Sequence, residues 1–173
     1  MVRPALTLLL VVACAASATA IPTFWAARAP NCVALPQQGY ARHKAPVDDK
    51  KSTISLFPAG TITASSKPLT KVCAGKTYAV RVKFPGSETR LAYLTASPVG
   101  GASARIATNN ASNSKCANAL AFAPPTGFTP SNSFSSRVTA PNAAGKWMVA
   151  VASATGSSAN YQITRATFTV SKC

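Results

Sequence analysis

The chain is predicted to fold as an all-β, disulfide-stabilised sandwich, and three observations carry that prediction. The stretch TYAVRVKF alternates cleanly, with Tyr78, Val80, Val82 and Phe84 on one side and Ala79, Arg81 and Lys83 on the other. Successive side chains of a strand face opposite ways, so this is a half-buried strand. Weaker copies of the pattern recur at short intervals between Gly- and Pro-rich turns, as in a sandwich of many short strands. Finally, no window keeps apolar residues at helical spacing for three turns, and thirteen prolines punctuate the chain.

Taken in order, residues 1–20 have the layout of a secretory signal peptide: Arg3, an apolar run from Ala5 to Ala13, then Ala18-Thr19-Ala20 before the cut. The apolar run is too short to span a bilayer, which needs roughly 20 such residues, so no transmembrane span is expected. Val11 to Cys14 also resembles a bacterial lipobox that would lipidate Cys14, but the downstream site fits better. The mature chain is then one domain, residues 21–173, with an extended Ala- and Pro-rich N-terminal arm over residues 21–50.

Strands are expected at Thr53 to Phe57, Tyr78 to Phe84, Leu91 to Ala96, Ala104 to Thr108, Ala119 to Ala123, Ser135 to Ala140, Lys146 to Ala152 and Tyr161 to Val170. The pair around PNAAG reads as a hairpin. In its second strand Trp147, Val149 and Val151 share a face and belong to the core, while Lys146, Met148, Ala150 and Ala152 face away on a mildly polar face that a loop could cover. In the last strand Tyr161 and Ile163 lie in one phase and Phe168 and Val170 in the other, which suggests a bulge or two segments. Thr108 to Ala119 reads as a surface loop.

Without Cys14, four cysteines remain: Cys32, Cys73, Cys116 and Cys173. None lie at the close spacing of a zinc site, and a secretory leader favours two disulfides, for which three connectivities exist. Cys32–Cys116 with Cys73–Cys173 is the working expectation, with Cys32 stapling the arm to the core. No metal and no cofactor are expected.

The charge is lopsided. Once Arg3 is removed, seventeen Lys and Arg face only Asp48, Asp49 and Glu88. Such a field attracts polyanions, which outside the cell means acidic polysaccharide or an anionic surface rather than genomic nucleic acid. The cations are scattered except in the stretch YARHKAPVDDKK, where Arg42, His43, Lys44, Lys50 and Lys51 form the candidate polyanion patch. Read blandly, this is a solvated loop with internal ion pairs. Asn110-Ala111-Ser112 is a glycosylation sequon in the expected loop. Phe24 and Trp25 would stack on a sugar or, more simply, dock the arm.

Catalytic chemistry finds little footing. A glycosidase needs two carboxyl groups about 5 to 9.5 Å apart, whereas Asp48 and Asp49 are adjacent and Glu88 sits in a turn. No G-x-S-x-G elbow is present, and the sole histidine, His43, is flanked by Arg42 and Lys44 rather than by an orienting acid. A copper oxygenase would need histidine at the mature N-terminus, where Ile21 stands.

The order of features resembles the reeler (reelin N-terminal) domain. The matching pieces are Cys32 after a Pro-containing arm, Tyr78 to Phe84 after CAGK, the strand RLAYLTAS, the loop cysteine Cys116, and RVTAPNAAGKWMVAVAS with its Ala-Pro turn, Gly and returning strand. The resemblance spans most of Ala26 to Phe168. It implies an immunoglobulin-like antiparallel β-sandwich that serves as an extracellular interaction or matrix module, sometimes in defence, without a transferable catalytic site.

The functional expectation is therefore a secreted, non-catalytic module that contacts anionic glycans, a microbial or cell surface, or another extracellular protein. A structural cell-wall or matrix component is the alternative from another class. A secreted hydrolase built on His43 comes third.

Overall fold

The computed structural model describes residues 35–39, 42–106, 116–122, 129–156 and 158–173. The expected signal peptide, Phe24, Trp25, Cys32 and Asn110 lie outside the described residues.

Ten strands are present: β1 (Lys44–Asp48), β2 (Thr53–Pro58), β3 (Lys71–Cys73), β4 (Thr77–Lys83), β5 (Leu91–Ala96), β6 (Arg105–Ile106), β7 (Ala119–Phe122), β8 (Ser133–Thr139), β9 (Gly145–Ala154) and β10 (Asn160–Ser171). They form two sheets packed as a sandwich. One has the order β1-β10-β9-β5-β7, with β3 also on β10; the other runs β2-β4-β8-β6.

Inward-facing residues of both sheets make one core, with Leu56, Val80 and Val82 from the smaller sheet against Leu94, Trp147, Val149 and Val151 from the larger. Trp147 is fully buried beside Phe168, ring centroids 6.0 Å apart. Each such side chain contributes about 1.5–3 kcal/mol by leaving water, which is why the alternating phase of β4 and β9 dictates their faces.

β8 and β9 are not a hairpin. β8 pairs with β4 and β6 in the smaller sheet, whereas β9 pairs with β5 and β10 in the larger, so Pro141 to Ala144 carries the chain across the sandwich. Val138 and Trp147 face each other into one core in this arch. The alternation on either side of PNAAG suits an arch as well as a hairpin, so pattern alone does not separate them. Gly145 closes the turn at φ 147°, and a Cβ there would meet Val99 Cγ1 at 2.8 Å.

β10 is likewise one strand. Its register with β9 is unbroken from Gln162↔Ser153 to Val170↔Gly145, without a bulge. The change of phase has another cause: the inner face is buried in the core, and the outer face is covered only along the first half of the strand. Phe168 and Val170 enter the main core, while Tyr161 and Ile163 join Leu35, Ala150, Ala152 and Ala154 in a second cluster on the outer face.

The arm also contains regular structure. β1 runs parallel to the first half of β10, and β3 runs parallel to its last residues, so the two short strands occupy successive lengths of one edge. These parallel pairs depart from a purely antiparallel sandwich. Lys-Ala-Pro-Val-Asp shows no alternation because β1 is an exposed edge, and the register shifts between Lys44 and Val47, where Pro46 has no N–H to give. β3 places Cys73 opposite Ser171, which brings its Cα to 5.5 Å from that of Cys173 in the expected disulfide. The Tyr78 hydroxyl accepts a hydrogen bond from Cys73 N at 2.6 Å and fixes this corner. Cys116 is disulfide-bonded as well; its expected pairing with Cys32 lies outside the described residues.

Candidate functional site

Where a protein this basic can meet an anion depends on where its three acids go. Two of them close on Arg90, whose side chain is 2% exposed: Nη1 lies 2.5 Å from Asp49 Oδ2 and Nη2 lies 2.6 Å from Glu88 Oε2. Nη1 also reaches Ser52 Oγ at 3.2 Å and Ser153 Oγ at 3.4 Å, and the guanidinium sits 4.9 Å from the Phe84 ring centroid. The backbone of Arg90 pairs with Ser131 just before β8. Arg90 thus clasps the two sheets together. A buried guanidinium is tolerated here because carboxylates and hydroxyls replace its water.

Asp49 bears the mark of this environment. Burial pushes its carboxyl up, but hydrogen bonds from the Ser52 hydroxyl, from Arg90 and from the Lys51 and Ser52 amides outweigh that and bring it down to about 2. The third acid, Asp48, pairs with Arg165 across from β1 to β10. The ion pairs of the segment therefore run outward to other strands and not within it, in contrast to a self-contained loop.

Of the fifteen lysines and arginines among the described residues, Arg90 and Arg165 alone meet a carboxylate side chain. The remaining thirteen present a field of one sign.

The candidates from the sequence divide into two kinds. Arg42, Lys44, Lys50 and Lys51 are exposed at and around the β1 edge. His43 between them is 7% exposed, its ring stacked on Tyr161 with centroids 4.6 Å apart and Nδ1 2.9 Å from the Ala159 carbonyl oxygen. The imidazole anchors β1 to the start of β10, and external contact falls to the four cations around it.

A second basic surface was not assigned a role in the sequence. On the outer face of the smaller sheet, β4 presents Arg81 and Lys83, β8 presents Arg137 and β6 presents Arg105. Register places Arg81 opposite Ser135 and Ala79 opposite Arg137, so the two arginines are diagonal neighbours on adjacent strands. The segment from Gly60 to Ile62 rises beside the two arginines and lines with them, Ala79 and Ser135 an open cleft of about 340 Å³, to which Lys83 and Arg105 do not contribute. The alternation of β4 already shows Arg81 and Lys83 facing out. Their meeting with Arg137, 56 positions along, depends on strand order and register.

In chemical terms, all three carboxylates are engaged in ion pairs and the one imidazole is packed away, so no acid–base pair stands open to substrate among the described residues. Nor do those residues contain any group of three His, Cys, Asp or Glu that could hold a metal ion. No helix long and apolar enough to cross a membrane occurs among them.

No protein-family model matches the chain, and no curated protein does. Among solved structures it is similar to the human F-spondin reeler domain, with TM-score 0.50 and 13% identity over 83% of this chain and 99% of that one. A second structure, the Reelin-N domain of F-spondin, gives 0.49 and 14% over 86% and 99%. At 13% identity the likeness to the first is one of architecture, which agrees with the resemblance carried by the residues: the chain shares the reeler-type β-sandwich fold.

Proposed function

We propose that this chain is a secreted, non-catalytic binding module held to anionic extracellular glycans or to a microbial or cell surface by its positive field. The observation that carries the reading is the disposition of charge. With every acid of the chain already paired to Arg90 or Arg165, the exposed cations have no internal competitor for an external anion. Arg42, Lys44, Lys50 and Lys51 at the β1 edge are the densest run and the first contact for a polymer. The fold supports a module of this kind without naming its ligand.

Exposed charges act over a Debye length of about 8 Å at physiological ionic strength, so binding should be salt-sensitive. The test is retention on an immobilised acidic polysaccharide at low and physiological salt. Replacing all four cations by Ala is expected to weaken binding by about tenfold or more, as removal of several pairs each contributing a few tenths to 1 kcal/mol implies. Retention indifferent to salt, or unchanged in the fourfold variant, would sink the electrostatic reading.

A further inference from the structure

We infer that the cleft on the outer face of the smaller sheet is a stoichiometric site for a single oxyanion group, a carboxylate, sulfate or phosphate, held between Arg81 and Arg137. This goes beyond diffuse attraction to a polymer: it places one anionic group at one position, away from the β1 edge.

Three features of the cleft make it a receptor. Arg81 and Arg137 stand on diagonal positions of β4 and β8 with Ala79 and Ser135 as their cross-strand neighbours, and neither guanidinium has a carboxylate partner. Like charges this close repel, and an oxyanion between them turns the repulsion into two attractions. Arginine suits the task because its planar fork gives parallel N–H donors to a carboxylate or a tetrahedral oxyanion.

Arg81 is also set in place in advance. Its guanidinium lies 5.4 Å from the Phe57 ring centroid, and Nη2 donates to the Ile62 carbonyl at 3.4 Å. Stacking on an aromatic ring and a neutral carbonyl fix the side chain without neutralising it, which lowers the ordering cost of binding.

The third feature is room. The cleft's volume of about 340 Å³ is at the lower end of the range for small-molecule sites, large enough for one ring bearing the anion. Ala79 keeps the floor low beside Arg137, and the hydroxyls of Thr61 and Ser135 in the lining offer neutral donors next to the charge.

The experiment is a titration of the mature protein with sodium sulfate, and separately with glucuronate, at constant ionic strength against chloride. The readout is the NMR signals of the arginine side-chain Nε–H groups. Saturable 1:1 shifts confined to Arg81 and Arg137 are expected, preserved when Arg42, Lys44, Lys50 and Lys51 are replaced by Ala. Ser135→Glu puts a carboxylate directly opposite Arg81 and is expected to weaken sulfate binding at least tenfold in a protein that melts as the parent does. Arg137→Gln is expected to do the same if Ser135→Glu fails to fold.

Shifts that rise without saturation at every cation alike, or binding untouched by both variants, would overturn the site. The polymer reading is judged separately by the fourfold variant on the polysaccharide column. A response to sulfate alone would identify a tetrahedral group, and a response to glucuronate alone a carboxylate.

Discussion

The two sheets of this sandwich share one core but have opposite outer faces. On the larger sheet much of the outer face is apolar and covered: Tyr93, Ala119, Ala121, Ala150, Ala152, Tyr161 and Ile163 are all buried, and only beyond Ile163 does β10 turn Arg165 and Thr167 to solvent. On the smaller sheet it is a solvated surface of serine, threonine and unpaired arginine and lysine. Leu35 and the His43–Tyr161 stack show how the first face is closed, with the segment leading into β1 folded back upon it. Small residues allow that approach, because alanine leaves room for a second layer where a longer side chain would hold it off. The smaller sheet receives no such layer over the cleft, so its polar alternation remains at the surface. The outer layer therefore builds up on one sheet, while unpaired charge gathers on the open face of the other and along the β1 edge.

One substitution made on each face should separate them most sharply. Ala152→Glu puts a carboxylate on the covered face, opposite Tyr93 on β5 and Ile163 on β10. A buried charge without a partner is among the few changes that exceed about 4 kcal/mol, so cooperative urea unfolding is expected to be lost or shifted by that amount. Ser135→Glu on the exposed face is expected to stay within about 0.5 kcal/mol of the parent. Equal costs at the two positions would mean that the contrast between the faces is wrong.

The seam that joins the faces should respond to acid. Asp49 titrates at about 2 in the folded protein against 3.8 as its ordinary value, so the unfolded chain binds the extra proton first. Its contribution is complete above pH 4 and is lost as pH falls from about 4 toward 2, with a magnitude on the order of 2 kcal/mol. Unfolding free energy measured across that window should slope downward in the parent and flatten in Asp49→Asn. Parallel slopes would show that the Arg90 clasp does not hold Asp49 as described.

Much of this contrast is written in strand alternation, and much is not. The phase of β4 was legible because one face is dry and the other largely wet, and that of β9 because large apolar residues fill its inner face while small alanines lie under the outer cover, so period two survives in both. β10 was misleading because its outer face is covered only over the first half, so its apolar residues change phase where the cover ends, and the pattern imitates a bulge. β1 and β3 were invisible since an exposed edge and a three-residue strand have no pattern to show. The candidate surface divides the same way. A local run of cations such as Arg42 to Lys51 can be seen in the chain, whereas the burial of His43 and the approach of Arg81 to Arg137 follow from pairing between distant strands.

The smallest expected effect lies on the inner face, and its sign carries the information. Thr164 is 3% exposed in the half of β10 whose outer residues anchor the covering layer, and it pairs with the buried Val151. Its hydroxyl has no hydrogen-bonding partner in the protein. Each buried polar atom left unpaired costs about 1–3 kcal/mol, and valine keeps the branched shape while removing the hydroxyl. Thr164→Val is therefore expected to raise stability by about 1 kcal/mol in urea unfolding. At the same time β10 must satisfy a dry core on one side and a dry cover on the other, so neither side can admit water to this hydroxyl. A loss of stability in the variant would mean that the hydroxyl is solvated after all, and that the core beneath this half of β10 admits water.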